Sequence, residues 1–332
     1  MQRRVVGDSG LEVSEFGLGT MTWGRDTPPE QARHLLRTFH EAGGTLIDTA
    51  AAYGNGDAER TIGALMRSDV LREDLVIATK AGFVLRDRQR VVDTSARTLL
   101  LDLEDSLRRL GTDWIDLWQI HAWGTAPLEE SLAAMDSAVA DGKVRYAGLS
   151  NFIGWQSAQA ATWQRAFPGR TPIVSNQVEY SLLARRAEVE VLPAARGLGM
   201  GFFPWSPLGR GVLTGKYRHG VPRDSRAAGH FAWFVEAYLE ARSRGIVEAV
   251  ARAADGLGLT PLQVSLTWVR DAPGVTAPLL GARNTSQLEE CLQAVDVTLP
   301  DAITAALDDV SGGPALGRTS EEETPARAED SH

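Results

Sequence analysis

The feature that most restricts the fold of this chain is an alternation that runs through nearly all of it. Short apolar runs rich in β-branched residues are each followed by a stretch whose apolar positions recur at helical spacing, and the cycle repeats eight times. The strand-like runs are residues 16–20, 45–48, 75–80, 115–121, 144–151, 172–177, 200–205 and 275–280. Helices are expected from Pro28 to the stop at Gly43, from Asp57, from Ser95 to Gly111, from Pro127 to Gly142 and from Trp155. Further helices are expected over 187–196, 246–257, 261–269, 285–294 and 301–309. The third helix shows the pattern plainly, with Leu99, Leu103, Leu107 and Leu110 on one face. Ahead of the alternation, residues 2–16 read as a β-hairpin turning at Gly7-Asp8-Ser9-Gly10. Eight such units in 332 residues predict an α/β fold, a (β/α)8 TIM barrel with an N-terminal β-hairpin and extra C-terminal helices. An open doubly wound sheet is the competing arrangement. It calls for a Gly-x-Gly-x-x-Gly turn after an early strand. Gly17-Leu18-Gly19 lies inside the first strand and no third glycine follows, so a nucleotide would have to be held another way.

Composition narrows the function. Hydrophobic residues make up 43% of the chain, enough for a large core. Net charge is −9, and the five acids and one base of residues 321–332 account for −4 of it. Residues 1–310 are therefore read as a single barrel domain and 311–332 as an acidic, disordered tail. The mildly acidic body argues against a nucleic-acid partner but not against a local basic pocket for phosphates. Cys291 stands alone, which excludes an intrachain disulfide, and the six histidines lack ligand spacing, so no metal is expected. No apolar run reaches membrane-spanning length and no signal peptide is evident, so no membrane partner and a cytoplasmic location are expected.

The strand ends carry the chemistry. Asp48 ends the second strand, Lys80 the third and His121 the fourth. Ser150-Asn151 end the fifth and Gln177 the sixth, while Ser206 follows the seventh and Arg283 the eighth. In a barrel all of these reach the C-terminal rim, where barrel enzymes keep their sites. Tyr53, just before Gly54 on the loop after Asp48, joins them. Each residue has a structural alternative: Asp48 as a turn cap, Tyr53 under a loop, Lys80 in a plain ion pair with Asp48, His121 as a packed histidine. Seven consecutive strand ends with functional side chains are harder to assign to chance.

These residues sit in stretches that resemble the aldo-keto reductase superfamily. One is Gly44-Thr45-Leu46-Ile47-Asp48-Thr49-Ala50, with Tyr53-Gly54 and Glu59 following. Another is Lys143-Val144-Arg145-Tyr146-Ala147-Gly148-Leu149-Ser150-Asn151-Phe152. Trp205-Ser206-Pro207-Leu208-Gly209-Arg210-Gly211 with Lys216, and Leu280-Gly281-Ala282-Arg283-Asn284 with Gln287 and Glu290, are similar too. The resemblance runs in order from residue 3 to about 310. It implies a barrel that binds NADP(H) in extended form and reduces aldehydes or ketones to alcohols.

Carbonyl reduction needs a hydride on carbon and a proton on oxygen. The resemblance makes Tyr53 the general acid, assisted by Lys80, Asp48 and His121. A free phenol titrates near pH ~10. An ammonium at ~4 Å and an effective dielectric of ~20 would favour the phenolate by roughly 4 kcal/mol, about three pH units at most. On that count Lys80 tunes Tyr53 toward physiological pH, Asp48 holds Lys80 protonated, and a neutral His121 orients the carbonyl. His121 is the rival acid, since its ordinary pKa of ~6.5 suits neutral pH better.

By the same resemblance Ser150, Asn151 and Gln177 hold the nicotinamide amide, and Trp205 replaces the aromatic, often tyrosine, that stacks on its ring. Ser206, Leu208, Arg210 and Lys216 match the pyrophosphate segment. Gly281 lies in the segment that carries Arg283. An arginine there can grip a 2′-phosphate with two parallel hydrogen bonds, which favours NADPH over NADH. Gln287 and Glu290 match the adenine side. Cys291 stands where asparagine is common, and a thiol is a weaker partner for adenine. Trp23, Phe83 and Trp123 follow three strand ends and are expected to line an apolar substrate pocket. The loop 208–238, with His219, His230, Phe231 and Trp233, is expected to close over the cleft. Two other readings are a non-catalytic, cofactor-sensing partner protein, as in the family's channel-associated branch, and a cofactor-independent or metal-dependent sugar isomerase on the same barrel. The second would need a rim cluster of carboxylates and histidines that is absent from the sequence pattern.

Overall fold

The computed structural model describes residues 1–86, 89–223, 225–229 and 232–312. A hairpin of β1 (Arg3–Val5) and β2 (Glu12–Ser14) comes first, with Arg4 opposite Val13. The barrel strands are β3 (Gly17–Gly19), β4 (Leu46–Asp48), β5 (Val76–Ala81), β8 (Ile115–Ile120), β9 (Val144–Ser150), β10 (Ile173–Glu179), β11 (Gly201–Trp205) and β12 (Leu279–Leu280). They pair in parallel, in the order β11-β10-β9-β8-β5-β4-β3-β12. Closure from β11 back toward β12 comes through Thr276, whose N–H donates to the Phe202 carbonyl at 2.8 Å. This is the expected (β/α)8 barrel.

The eighth strand is shorter than the apolar run 275–280 implies. Pro278 has no N–H for a ladder, so regular pairing is confined to Leu279–Leu280. Two further strands, β6 (Phe83–Arg86) and β7 (Gln89–Val92), form an antiparallel hairpin just after β5. No hairpin is expected there from the strand–helix alternation.

The surrounding helices are α1 (Pro29–Glu41), α2 (Asp57–Met66), α3 (Ala96–Leu110), α4 (Leu128–Ala140), α5 (Gly154–Arg165) and α6 (Val191–Gly197). After β11 come α7 (Ala232–Glu236), α8 (Ala241–Leu257) and α9 (Pro261–Arg270), and after β12, α10 (Thr285–Leu292) and α11 (Asp301–Ser311). The ends follow capping rules. Ser95 accepts the Thr98 N–H at the start of α3, and Thr260 and Gln263 form a capping box around Pro261 at the start of α9. Gly44 is needed for close approach where the chain leaves α1, because a Cβ there would stand 2.4 Å from the Phe39 ring. The loop 208–238 is not featureless: it holds helical turns at Gly209–Thr214 and Arg226–Ala228 as well as α7. His230 and Phe231 lie outside the described residues, as does 313–332 of the tail expected over 311–332; Ser311, expected to open that tail, is instead buried as the last residue of α11.

Strand parity decides what faces the barrel interior. Leu46, Ala78, Leu117 and Phe203 point inward and pack with Val6, Leu11 and Val13 of the first hairpin, which plugs the N-terminal end. Their neighbours Ile47, Ile77 and Trp118 point outward to the helices. Two residues beyond the inward set, the same faces carry Asp48, Lys80 and Trp205. One outward residue anchors this register. Thr79 donates to the fully buried Glu59 of α2 at 2.6 Å, and Arg109 of α3 donates to the other oxygen of Glu59 at 2.7 Å. β5 is thereby tied to two helices one residue before Lys80.

Candidate active site

At the C-terminal ends of the strands lies a cleft of about 670 Å³, within the usual range for small-molecule sites. At its floor is a buried ion pair. Lys80 Nζ donates to both Asp48 carboxylate oxygens, at 2.7 and 2.9 Å, and to the Thr49 carbonyl at 2.8 Å. The ammonium is thus surrounded by oxygen acceptors, and the Tyr53 hydroxyl is a further hydrogen-bond partner. Gln177, reaching across from β10, donates to the same carboxylate at 2.7 Å. Burial opposes the charge on Lys80, but Asp48 prevails and holds its pKa above the usual range.

Tyr53 lies over this pair, with Lys80 Nζ 5.1 Å from its ring centroid. His121 meets Tyr53 edge to face at 5.9 Å and Phe83 at 4.5 Å. The structure corrects one expectation. Burial lifts the Tyr53 pKa above its usual value, Lys80 pulls it down, and Asp48 pushes it up again. Attraction to Lys80 alone would lower it, but desolvation of the phenolate and the Asp48 charge that accompanies a lysine held by that carboxylate outweigh that attraction. Tyr53 is therefore a protonated phenol at neutral pH, which leaves it able to donate a proton.

Burial also holds the His121 imidazole well below its usual range, with repulsion from Lys80 and then Arg90 adding to the effect. The ring is neutral at neutral pH. The consequence for stability has a definite sign. Below the unfolded value of ~6.5 the unfolded chain binds a proton that the native ring refuses. The contribution is therefore complete above about pH 6.5 and declines as pH falls toward the depressed native value, by up to about 1.4 kcal/mol per pH unit. His121→Gln should flatten this part of the stability profile. Urea unfolding of both proteins at about pH 7.5 and about pH 5.5 checks it; identical losses would contradict the assignment.

On the other side of the cleft, Asn151 donates to the His121 carbonyl at 2.9 Å and to Ser150 Oγ at 3.1 Å, and accepts from Trp205 Nε1 at 3.0 Å. Ser150 Oγ donates to the Gln177 carbonyl at 3.0 Å. Asn151, Ser206 and Arg210 all have positive φ, between 53° and 59°, and all three line the cleft. Left-handed backbone at non-glycine residues is held against a cost of about 1–3 kcal/mol each and clusters at functional sites. Leu208, Lys216, Gly281, Arg283, Gln287 and Glu290 complete this end. Gly211, φ 93°, belongs to the same turn, and a Cβ on it would stand 3.1 Å from Lys216 Nζ. Gln287 folds back to accept the Arg283 N–H at 3.0 Å. Cys291 also lines the cleft, and burial followed by the nearby Glu290 pushes its thiol up to about 12, so it is inert.

Three side chains are placed differently from expectation. Trp23 is fully buried in the core and Trp123 packs on Phe152 and Trp155 at 5.3 and 5.2 Å; neither lines the cleft, whereas Phe83 does. Arg210 reaches the cleft but is held by Glu179 through two hydrogen bonds of 2.8 Å and lies 3.8 Å from the Phe234 ring centroid. It clamps the loop after β11 to the barrel, so its charge is already matched. Met21, Thr22, Arg90 and Phe234 line the cleft without having been singled out from the sequence. For Arg90 a signal existed, the paired apolar residues Phe83–Leu85 and Val91–Val92 that flank a turn. Among the described residues no group of three His, Cys, Asp or Glu side chains is placed to hold a metal, and no helix is long and apolar enough to cross a membrane.

A closed parallel barrel whose strand ends gather polar side chains around one cleft is a common enzyme scaffold. The chain belongs to the aldo/keto reductase family, whose model matches residues 15–311. It is 37% identical to the uncharacterized oxidoreductase YrpG of Bacillus subtilis, over 97% of this chain and 99% of that protein. It is 33% identical to a probable voltage-gated potassium channel subunit beta of Oryza sativa, over 90% of this chain and 92% of that one. It is also 31% identical to L-glyceraldehyde 3-phosphate reductase of Escherichia coli, over 89% and 88% of the two chains. Members of the family generally use NAD(P)H, and a small-molecule substrate fits the site.

Proposed function

We propose that the protein is an NADPH-dependent reductase of aldehydes or ketones, with Tyr53 as the proton donor. The observation that carries this reading is the Asp48–Lys80 pair, buried directly under Tyr53 and facing His121. Tyr53 would donate to the carbonyl oxygen as negative charge develops there. Lys80, held by Asp48, would stabilise the phenolate that forms, and neutral His121 would orient the carbonyl. When bound, the nicotinamide cofactor supplies the hydride.

The chain's residues fit such a cofactor on chemical grounds. Ser150, Asn151 and Gln177 offer donors and acceptors for a carboxamide, and Trp205 offers a ring face beside them. Lys216 and Arg283 provide cationic groups for phosphates at the other end. Arg283→Leu is expected to raise the KM for NADPH at least tenfold and to change that for NADH much less; equal changes would remove Arg283 as the 2′-phosphate contact.

The primary test follows NADPH absorbance with aromatic, aliphatic and phosphorylated aldehydes, the last because one relative is named for such a substrate. A relative named as a potassium channel beta subunit motivates a second reading, a cofactor-sensing partner protein. NADPH binding with no turnover of any carbonyl would favour it.

A further inference from the structure

The hairpin of β6 and β7 puts a positive charge beside the reacting groups. Phe83 lies opposite Val92 and Leu85 opposite Arg90, so parity places Phe83, Leu85, Arg90 and Val92 on one face of the hairpin. Phe83 and Arg90 of that face line the cleft, and Phe83 touches His121. The Arg90 guanidinium carbon lies 5.6 Å from the Phe83 ring centroid. One of its N–H groups donates to the Ala52 carbonyl, next to Tyr53, at 3.3 Å. The hairpin's other described arginine, Arg86, is ion-paired with Asp93. Arg90 has no ion pair with any described carboxylate. Its charge is close enough to act on both Tyr53 and His121. A guanidinium carries five N–H donors in a planar fork suited to an oxyanion, and a single backbone acceptor leaves most of them available.

Apart from Arg210, which Glu179 matches, the arginines and lysine that line the cleft fall at two ends. Lys216 and Arg283 lie with Gln287 and Glu290 at the end assigned to the cofactor's phosphates, and Arg90 lies at the carbonyl end. We propose that the substrate is an anionic carbonyl compound, an aldehyde or ketone with a carboxylate or phosphate a few carbons from the carbonyl, and that Arg90 is the residue that selects the anion. This rests on the reductase reading above and adds the substrate class to it.

The test compares matched probes in the wild type, Arg90→Gln and Arg90→Lys. One pair is 4-carboxybenzaldehyde and 4-methylbenzaldehyde; the other is glyceraldehyde 3-phosphate and glyceraldehyde. The quantity read is the anionic-to-neutral ratio of kcat/KM. In the wild type it should exceed tenfold for one pair, and which pair does so separates carboxylate from phosphate. Arg90→Gln should lower that ratio at least tenfold through the KM of the anionic probe, and Arg90→Lys should restore part of it. A ratio near one in the wild type for both pairs, or one unmoved by Arg90→Gln, overturns the proposal. A purely electrostatic influence of Arg90 on Tyr53 and His121 would change both members of a pair alike. Calorimetric binding of the product-like ligands 4-(hydroxymethyl)benzoate and glycerol 3-phosphate, against 4-methylbenzyl alcohol and glycerol, gives a readout that needs no turnover. Arg90-dependent preference for an anion without any reduction would sink the reductase reading and leave only the anion-selecting role of Arg90 standing; reduction without such preference would overturn that role and leave the reductase reading intact.

Discussion

Tyr53→Phe should lower the rate of NADPH-dependent carbonyl reduction by roughly two to four orders of magnitude, the usual worth of a positioned proton donor. The substitution removes one hydroxyl and keeps the ring, so the edge contact with His121 at 5.9 Å is preserved. The end of the cleft proposed for the cofactor, built from β9, β10 and the loop after β11, is untouched, and NADPH affinity should stay within about threefold. The loss should therefore appear in kcat and kcat/KM together. Burial keeps Tyr53 a phenol, so an ultraviolet difference titration of wild type minus variant should show no phenolate signal up to about pH 9. A variant with near-normal kcat would transfer the proton-donor role to His121, the polar ring beside Tyr53 in the cleft, and His121→Gln would then have to carry the deficit.

The second large effect belongs to the pair below. Lys80→Met should destabilise the fold by about 3–5 kcal/mol, because it leaves a carboxylate buried beside a single remaining side-chain donor, Gln177. Asp48→Asn leaves the ammonium of Lys80 in the same position and should also be costly. The double variant Lys80→Met, Asp48→Asn removes both charges and should recover at least about 2 kcal/mol of the summed loss. Urea unfolding of the four proteins measures this coupling, while activity should be absent in all three variants. Additive losses would mean that the pair does not act as a unit. Loss of stability without loss of activity would reduce it to a structural ion pair and remove Lys80 from the chemistry.

How much of this was legible in the chain depends on the distance over which each feature is decided. The barrel was legible because its signals are local. Period-2 and period-3.6 patterns alternate in sequence, and caps such as Ser95 and Thr260 mark helix starts within a few residues. The rim was legible for the same reason. A parallel barrel points every strand end to one face, so Asp48, Lys80, His121, Ser150 and Gln177 could be gathered without coordinates. The short eighth strand and the hairpin of β6 and β7 depart from that pattern: Pro278 limits regular pairing to Leu279–Leu280, and two antiparallel strands precede α3 where the alternation calls for a helix directly.

The order of elements and the set of polar groups at one end of the barrel follow from local periodicity and strand parity, so the chain alone carries them. How those groups interact is settled in three dimensions. Trp23 enters the core and Phe83, on β6, the cleft because the local path of the chain, not position after a strand, sets which aromatic turns inward. Arg210 is matched by Glu179, a residue 31 positions away, and so serves the loop's attachment. The direction of the Tyr53 pKa rests on burial weighed against Lys80 and Asp48 together. Desolvation and charge balance are sums over everything nearby in space, and no window of sequence contains those neighbours.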